Sequence, residues 1–132
     1  MRIYLIDDDS AVLSVLRLLI EDGGLGTVVG SSQSAVDALE DLRTCGADIV
    51  LVDLLMPEMD GFDLLMKVRN DEMLCHIPFI LLSVVDSVDS KIKGLEYGAD
   101  VYIEKPFSLG YVKATVESLL ENRKRAFRHF AS

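Results

Sequence analysis

Positive charge is scarce in this 132-residue chain: 13 lysines and arginines stand against 22 aspartates and glutamates, for a net charge of −9. An acidic body argues against nucleic acid as the direct partner. The cations are also unevenly placed. Arg123, Lys124, Arg125 and Arg128 face only Glu121 within residues 121–132, a net of +3, which leaves −12 on residues 1–120. That short tail reads as a solvated helix end with cations near its C-terminus. Cysteine is scarce too. Cys45 and Cys75 lie 30 residues apart without metal-type spacing, as expected of ordinary reduced thiols rather than a redox pair. No apolar run reaches the roughly 20 residues of a membrane span; Arg17 interrupts the longest candidate, residues 11–20. No secretory leader is visible, because the first apolar stretch runs into Asp7, Asp8 and Asp9 with no small-residue cleavage site. A cytoplasmic location without membrane contact is expected. Internal repeats and low-complexity segments are absent.

What is present is a globular composition, half hydrophobic and 27% charged, at a length that suits one domain with a substantial core. Residues 1–120 are expected to form that domain, and residues 121–132 a basic C-terminal helical extension or linker stub. Short apolar runs alternate with helical patterns. Strands are predicted over 2–6, 27–30, 48–52, 78–82 and 101–103. A helix over 10–22 carries Val12, Val15, Leu16 and Leu19 at i, i+3, i+4, i+7, with Asp9 or Ser10 able to cap its start and Gly23-Gly24 to end it. Ala35, Ala38, Leu39 and Leu42 mark a second helix that stops near Gly46. A third runs over about 62–70. Val88, Ile92 and Leu95 stripe a fourth that ends at Gly98. A fifth starts at Ser108 with Val112, Thr115, Val116 and Leu119 on one face. Met56, Met59, Met66 and Met73 read as core filling; His76 and His129 are solitary.

That pattern is α/β, a (βα)5 chain. Strands apolar on both faces belong to a parallel sheet covered by helices on both sides. Right-handed crossovers with a reversal of strand order put helices on both faces. Ligands in such doubly wound sheets bind beyond the carboxyl ends of the strands, so polar residues should collect there. They do: Asp7 and Asp8 follow the first strand, Asp53 the third, Ser83 the fourth and Lys105 the fifth. Carboxylates brought to one point repel each other unless a cation or a proton joins them. Oxygen donors without His or Cys suit a hard ion, Mg2+ above all. Lys105 adds a mobile positive charge and Ser83 a hydroxyl donor. Acids, a hard ion, a lysine and a hydroxyl make a phosphoryl-transfer site, with Asp53 at the end of the central strand best placed as nucleophile.

The segments 4–9 (YLIDDD), 48–61 (DIVLVDLLMPEMDG), 77–83 (IPFILLS) and 98–107 (GADVYIEKPF) resemble, in order, the CheY-like receiver domains of two-component response regulators. The resemblance covers nearly the whole chain, to about residue 120. It implies the flavodoxin-like strand order 2-1-3-4-5 and a phosphoacceptor at Asp53, loaded by a histidine kinase or phosphotransfer protein. It implies that Mg2+ is held by Asp8 directly, by Asp7 mainly through water, by Asp53 and by the backbone carbonyl of Leu55. Ser83 and Lys105 take the places of the hydroxyl and lysine that bind the phosphoryl group, and Lys105–Pro106 the place of a cis peptide bond. Tyr102 matches an aromatic that turns inward as the hydroxyl residue moves, remodelling the surface of the fourth helix, fifth strand and fifth helix. That surface is the expected face for an output partner or effector domain, or for a homodimer. The chain is then a switch, not an enzyme.

Three positions depart from the family. Leu55 and Val85, two residues after Asp53 and Ser83, are apolar where a polar group often stands. Val84 follows Ser83 where a small residue is usual. A dry, crowded approach and slow autodephosphorylation are expected; the competing expectation is that Val84 also slows phosphorylation by small donors. Plainer readings remain beside these. Ser83 can simply end a strand, Tyr102 can be an ordinary half-exposed aromatic, and Lys105 can pair with an acid. Two rival functions are a receiver-like interaction scaffold that works without phosphorylation, and a phosphatase of the haloacid-dehalogenase type. The second requires an Asp-x-Asp nucleophile motif, which Asp53-Leu54-Leu55 lacks. A flavodoxin-like nucleotide binder is disfavoured, because the acidic first loop repels phosphate.

Overall fold

A computed structural model of the chain describes residues 1–53, 61–83, 92, 94–96, 98–104 and 108–131, with main chain only at 53, 61, 62, 83, 109, 120 and 123–131. The elements follow in order: β1 (Arg2–Ile6), α1 (Ser10–Asp22), β2 (Thr27–Ser32), α2 (Ala35–Cys45), β3 (Ile49–Asp53), α3 (Gly61–Arg69), β4 (Phe79–Ser83), β5 (Val101–Glu104) and α4 (Leu109–Ala131), the last being the fifth of the helices predicted from sequence. The five strands form one sheet in the order β2-β1-β3-β4-β5. Every neighbouring pair is parallel.

Strand alternation sorts the core into two layers. Tyr4, Ile6, Val50, Val52, Phe79 and Leu81 meet Ala35, Ala38 and Leu42 of α2 and Leu64, Leu65 and Val68 of α3. The intervening residues Ile3, Leu5, Ile49, Leu51, Ile80, Leu82 and Ile103 meet Leu13, Leu16 and Ile20 of α1 and Val112 and Val116 of α4. A strand buried on both faces has no polar alternation, which is why these read as continuous apolar runs. The chain leaves β1 toward β2 and then crosses back over β1 to β3, so right-handed connections place α1 and α2 on opposite faces.

The buried stripe of α1 differs from the predicted one. Leu13, Leu16 and Ile20 are buried, whereas Val15 is 56% and Leu19 43% exposed. Residues 11–20 are so apolar that more than one i, i+3, i+4, i+7 set fits, and the sequence alone could not choose among them. Ile92 and Leu95, predicted as core stripe residues, are likewise exposed, as are Met66 and Met73; Val88, Met56 and Met59 lie outside the described residues. On α4 the predicted face holds, with Val112 and Val116 buried and Leu119 packed beside them.

Among the glycines, one position is fixed by close approach and another by its backbone angle. The Tyr4 ring lies across Gly30 of β2, where an added Cβ would meet it at 2.8 Å. The ring continues outward so that its hydroxyl donates to Asp41 Oδ2 at 2.8 Å. Burial first, and then the Asp41 carboxylate, push the Tyr4 phenol pKa far up. The second is Gly98, at φ +101.

Asp9 caps α1. Its Oδ1 accepts from Ala11 N–H at 2.8 Å and Val12 N–H at 3.4 Å. Two otherwise orphaned donors lose their acceptor in Asp9→Ala, so that variant is expected to lose about 1 kcal/mol of stability while Asp9→Asn keeps most of it. Urea unfolding midpoints measure the difference.

Candidate functional site at the carboxyl edge of the sheet

The strand register sets the site. Ile6 of β1 pairs with Val52 of β3, so Asp7 and Asp53 each come one residue after a paired position. Asp53 pairs in turn with Leu82, and Ser83 with Glu104. Asp7, Asp53 and Ser83 therefore leave the same edge of three adjacent strands, which lie about 4.8 Å apart. Lys105 follows Glu104 directly in sequence. Its position, with those of Leu55, Val84, Val85 and Pro106, lies outside the described residues, as do the side chains of Asp53 and Ser83.

The two acids after β1 are not equivalent. Asp7 is 3% exposed and is the one buried charged residue among the described residues. Its N–H donates to Ser32 O at 3.2 Å, and its Oδ1 accepts from Asp9 N–H at 3.0 Å. Asp8 is exposed. A carboxylate buried this deeply persists only where hydrogen bonds or a cation compensate the lost water. An anionic edge beside Asp53 suits a cation. Tyr102, one residue before Ile103, is half-buried and packs against the layer covered by α2 and α3.

Sequence reasoning missed the contribution of β2. That strand runs to Ser32, two residues beyond the predicted end at Gly30. Its end meets the acidic turn: Ser32 O accepts from Asp7 N–H, and Gln33 Nε2 donates to Asp8 O at 3.2 Å. The turn after β2 is itself locked, with Ser32 Oγ donating to Ser34 O at 2.8 Å and accepting from Ser34 N–H at 3.1 Å. The polar run Ser31-Ser32-Gln33-Ser34 after an apolar one marks a strand's carboxyl end, but it does not carry the bond from Gln33 to Asp8.

The model of the response regulator receiver domain matches residues 3–117. The chain belongs to the response regulator receiver family. Among curated relatives, this receiver domain is 32% identical over 127 residues to the DNA-binding dual master transcriptional regulator RpaA of Synechocystis sp., covering 94% of this chain and 51% of that protein. Among solved structures, the receiver domain of the Francisella response regulator 1452 superposes with a TM-score of 0.82 at 30% identity, covering 92% of this chain and 98% of that one. A BeF3-activated DrrB receiver domain superposes with a TM-score of 0.78 at 28% identity, covering 91% and 97%. The chain spans about half the length of the curated relatives it matches. Receiver domains belong to two-component signalling and are generally switches rather than catalytic enzymes. Among the described residues no helix is long and apolar enough to cross a membrane.

Proposed function

We propose that this receiver domain accepts a phosphoryl group on Asp53 from a histidine kinase or phosphotransfer protein and passes the change to an output partner or domain. The observation that carries the reading is the convergence of buried Asp7, the last residue of β3 and the last residue of β4 on one sheet edge in a chain of this family. A carboxylate oxygen of Asp53 forms the new bond to phosphorus as the bond to the donor imidazole breaks, with the imidazole nitrogen keeping the electron pair. The Lys105 ammonium and the Ser83 hydroxyl serve the phosphoryl oxygens. Asp7, Asp8, Asp53 and the Leu55 carbonyl form an all-oxygen donor set that fits Mg2+. When bound, Mg2+ neutralises charge on the carboxylates and on the incoming phosphoryl group.

Phosphorylation adds charge and acceptors at the sheet edge. Ser83 moves to meet an oxygen, Tyr102 turns into the space left, and the surface formed by the fourth helix, β5 and α4 adopts its active form. The phosphoryl group selects that form through the contacts it makes there. This surface is the proposed face for the output partner and for a homodimer. The relatives are transcriptional regulators by name, which supports a role upstream of transcription. The −12 on residues 1–120 supports protein partners for the domain itself, without direct nucleic-acid or membrane contact, in the cytoplasm. In this reading residues 1–120 are the receiver and residues 121–132 its basic helical extension or linker stub; the run of α4 over Leu109–Ala131 supports the extension.

Acetyl phosphate with Mg2+ tests the reading: the expected result is a mass gain of one phosphoryl group, and no gain overturns it. Beryllofluoride with Mg2+ should shift amide resonances around Tyr102. Because Leu55, Val84 and Val85 are apolar, the phosphoryl group should persist for minutes or longer. Decay within seconds, followed by mass, would reject the dry approach.

A further inference from the structure

We propose that Gln33 is a positioning residue for the metal-binding end of the site: its neutral amide fixes the peptide after Asp8 and so aims the Asp8 carboxylate. The inference rests on the reading of Asp8 as a Mg2+ ligand.

The turn from Asp7 to Asp9 is held at both flanks. On one side, Asp7 N–H is bound to Ser32 O and the Asp7 carboxylate is closed onto Asp9 N–H. On the other, Asp9 is committed to the first turn of α1 through its cap bonds. Asp8 stands between them, exposed. The peptide that follows it is held at its N–H end by Asp7 Oδ1 at 3.0 Å, and Gln33 Nε2 holds its carbonyl end by donating to Asp8 O at 3.2 Å.

The base from which Gln33 reaches is firm. It lies between Ser32 and Ser34, which are tied to each other by two hydrogen bonds, immediately before α2. The type of donor matters as much as its position. A lysine or arginine making the same bond would set a positive charge beside Asp8 and compete with a divalent ion, whereas an amide orients the carbonyl without doing so. The arrangement thus holds an anionic ligand in place from the turn after β2, which contributes no ligand of its own.

Mg2+ alone, titrated into the full chain and followed by amide chemical shifts, tests this. In Gln33→Met, which keeps the length and loses the donor, the Mg2+ dissociation constant should rise about three- to tenfold, the scale of one ordinary hydrogen bond. The unfolding midpoint in EDTA should stay within about 2 °C, as for most exposed substitutions. Ser31→Ala, at an exposed position near the end of β2, should leave the constant unchanged. If the wild-type chain binds no Mg2+, the reading of the site fails and the role of Gln33 with it. If the wild type binds and Gln33→Met binds equally well, the role of Gln33 alone fails. A weakening matched by Ser31→Ala, or accompanied by a lower midpoint in EDTA, marks a merely structural effect and also overturns it.

Discussion

Asp53→Asn is expected to reduce phosphoryl incorporation from acetyl phosphate to background, at least about a thousandfold below the wild-type rate, as removal of a nucleophile does. The amide oxygen keeps the shape of the carboxylate but has neither its charge nor its nucleophilicity. The same substitution should raise metal-free stability. At the proposed site Asp53 stands beside buried Asp7, so without a cation removing one of two like charges should relieve repulsion of roughly 0.5–1 kcal/mol. Saturating Mg2+ should cancel or reverse that gain, because an ion bound at the proposed site would stabilise the native wild-type edge, and Asn is a poorer ligand for a hard ion. Urea unfolding with EDTA and with Mg2+ reads the sign change, and mass spectrometry reads the incorporation. Wild-type incorporation by Asp53→Asn would move the acceptor elsewhere. A stability difference independent of Mg2+ would separate Asp53 from the metal.

The sheet was the most legible part of the chain, because parallel strands covered on both faces leave an uninterrupted apolar signature. Residues 49–52 and 79–82 show it plainly, and the observed ends at Asp53 and Ser83 fall one residue beyond the predicted ones. Helix faces were less legible wherever apolar residues exceed what one face can bury. In α1, Val15 and Leu19 fit the period as well as Leu13 and Ile20 do, and only the sheet beneath decides between the sets. The acids at the strand ends were legible because charge directly after an apolar strand has few structural uses. Gln33 was not. Its bond to Asp8 O spans 25 residues and depends on β1 and β2 being paired, a relation that local composition does not carry. The same holds for Arg69, whose partners are mostly backbone carbonyls and leave no trace in side-chain pattern.

Arg69→Met is expected to cost stability heavily, at roughly 3–5 kcal/mol. Arg69 lies at the end of α3, and its guanidinium spreads across the opposite edge of the sheet from Asp53. Nε and Nη2 donate to Gly98 O at 2.9 and 2.7 Å. Nη1 donates to Cys75 O at 3.0 Å and Ile77 O at 2.7 Å. Nη2 also pairs with Asp100 Oδ2 at 3.1 Å, the same oxygen that accepts from Phe79 N–H at 2.8 Å. The cation sits 5.4 Å from the centre of the Phe79 ring. One side chain thus ties α3 to the segments that enter β4 and β5. Methionine keeps the aliphatic stem but leaves three carbonyls short of a donor and Asp100 short of its counter-charge, in surroundings where the pair is only about one-fifth exposed. Against a typical domain stability of about 5–15 kcal/mol, the loss should lower the melting point by roughly 10 °C or more. Arg69→Lys should recover only a minor part, since one ammonium cannot reproduce a planar fork aimed at carbonyls on two segments. Gly98→Ala should also destabilise, because φ +101 disfavours a side chain and the new Cβ would meet Arg69 Nε at 3.0 Å. Below their melting points these variants should accept phosphoryl groups at the wild-type initial rate, because the clamp and Asp53 sit at opposite ends of the strands. A loss below about 1 kcal/mol in Arg69→Met would reduce the clamp to an ordinary surface cation.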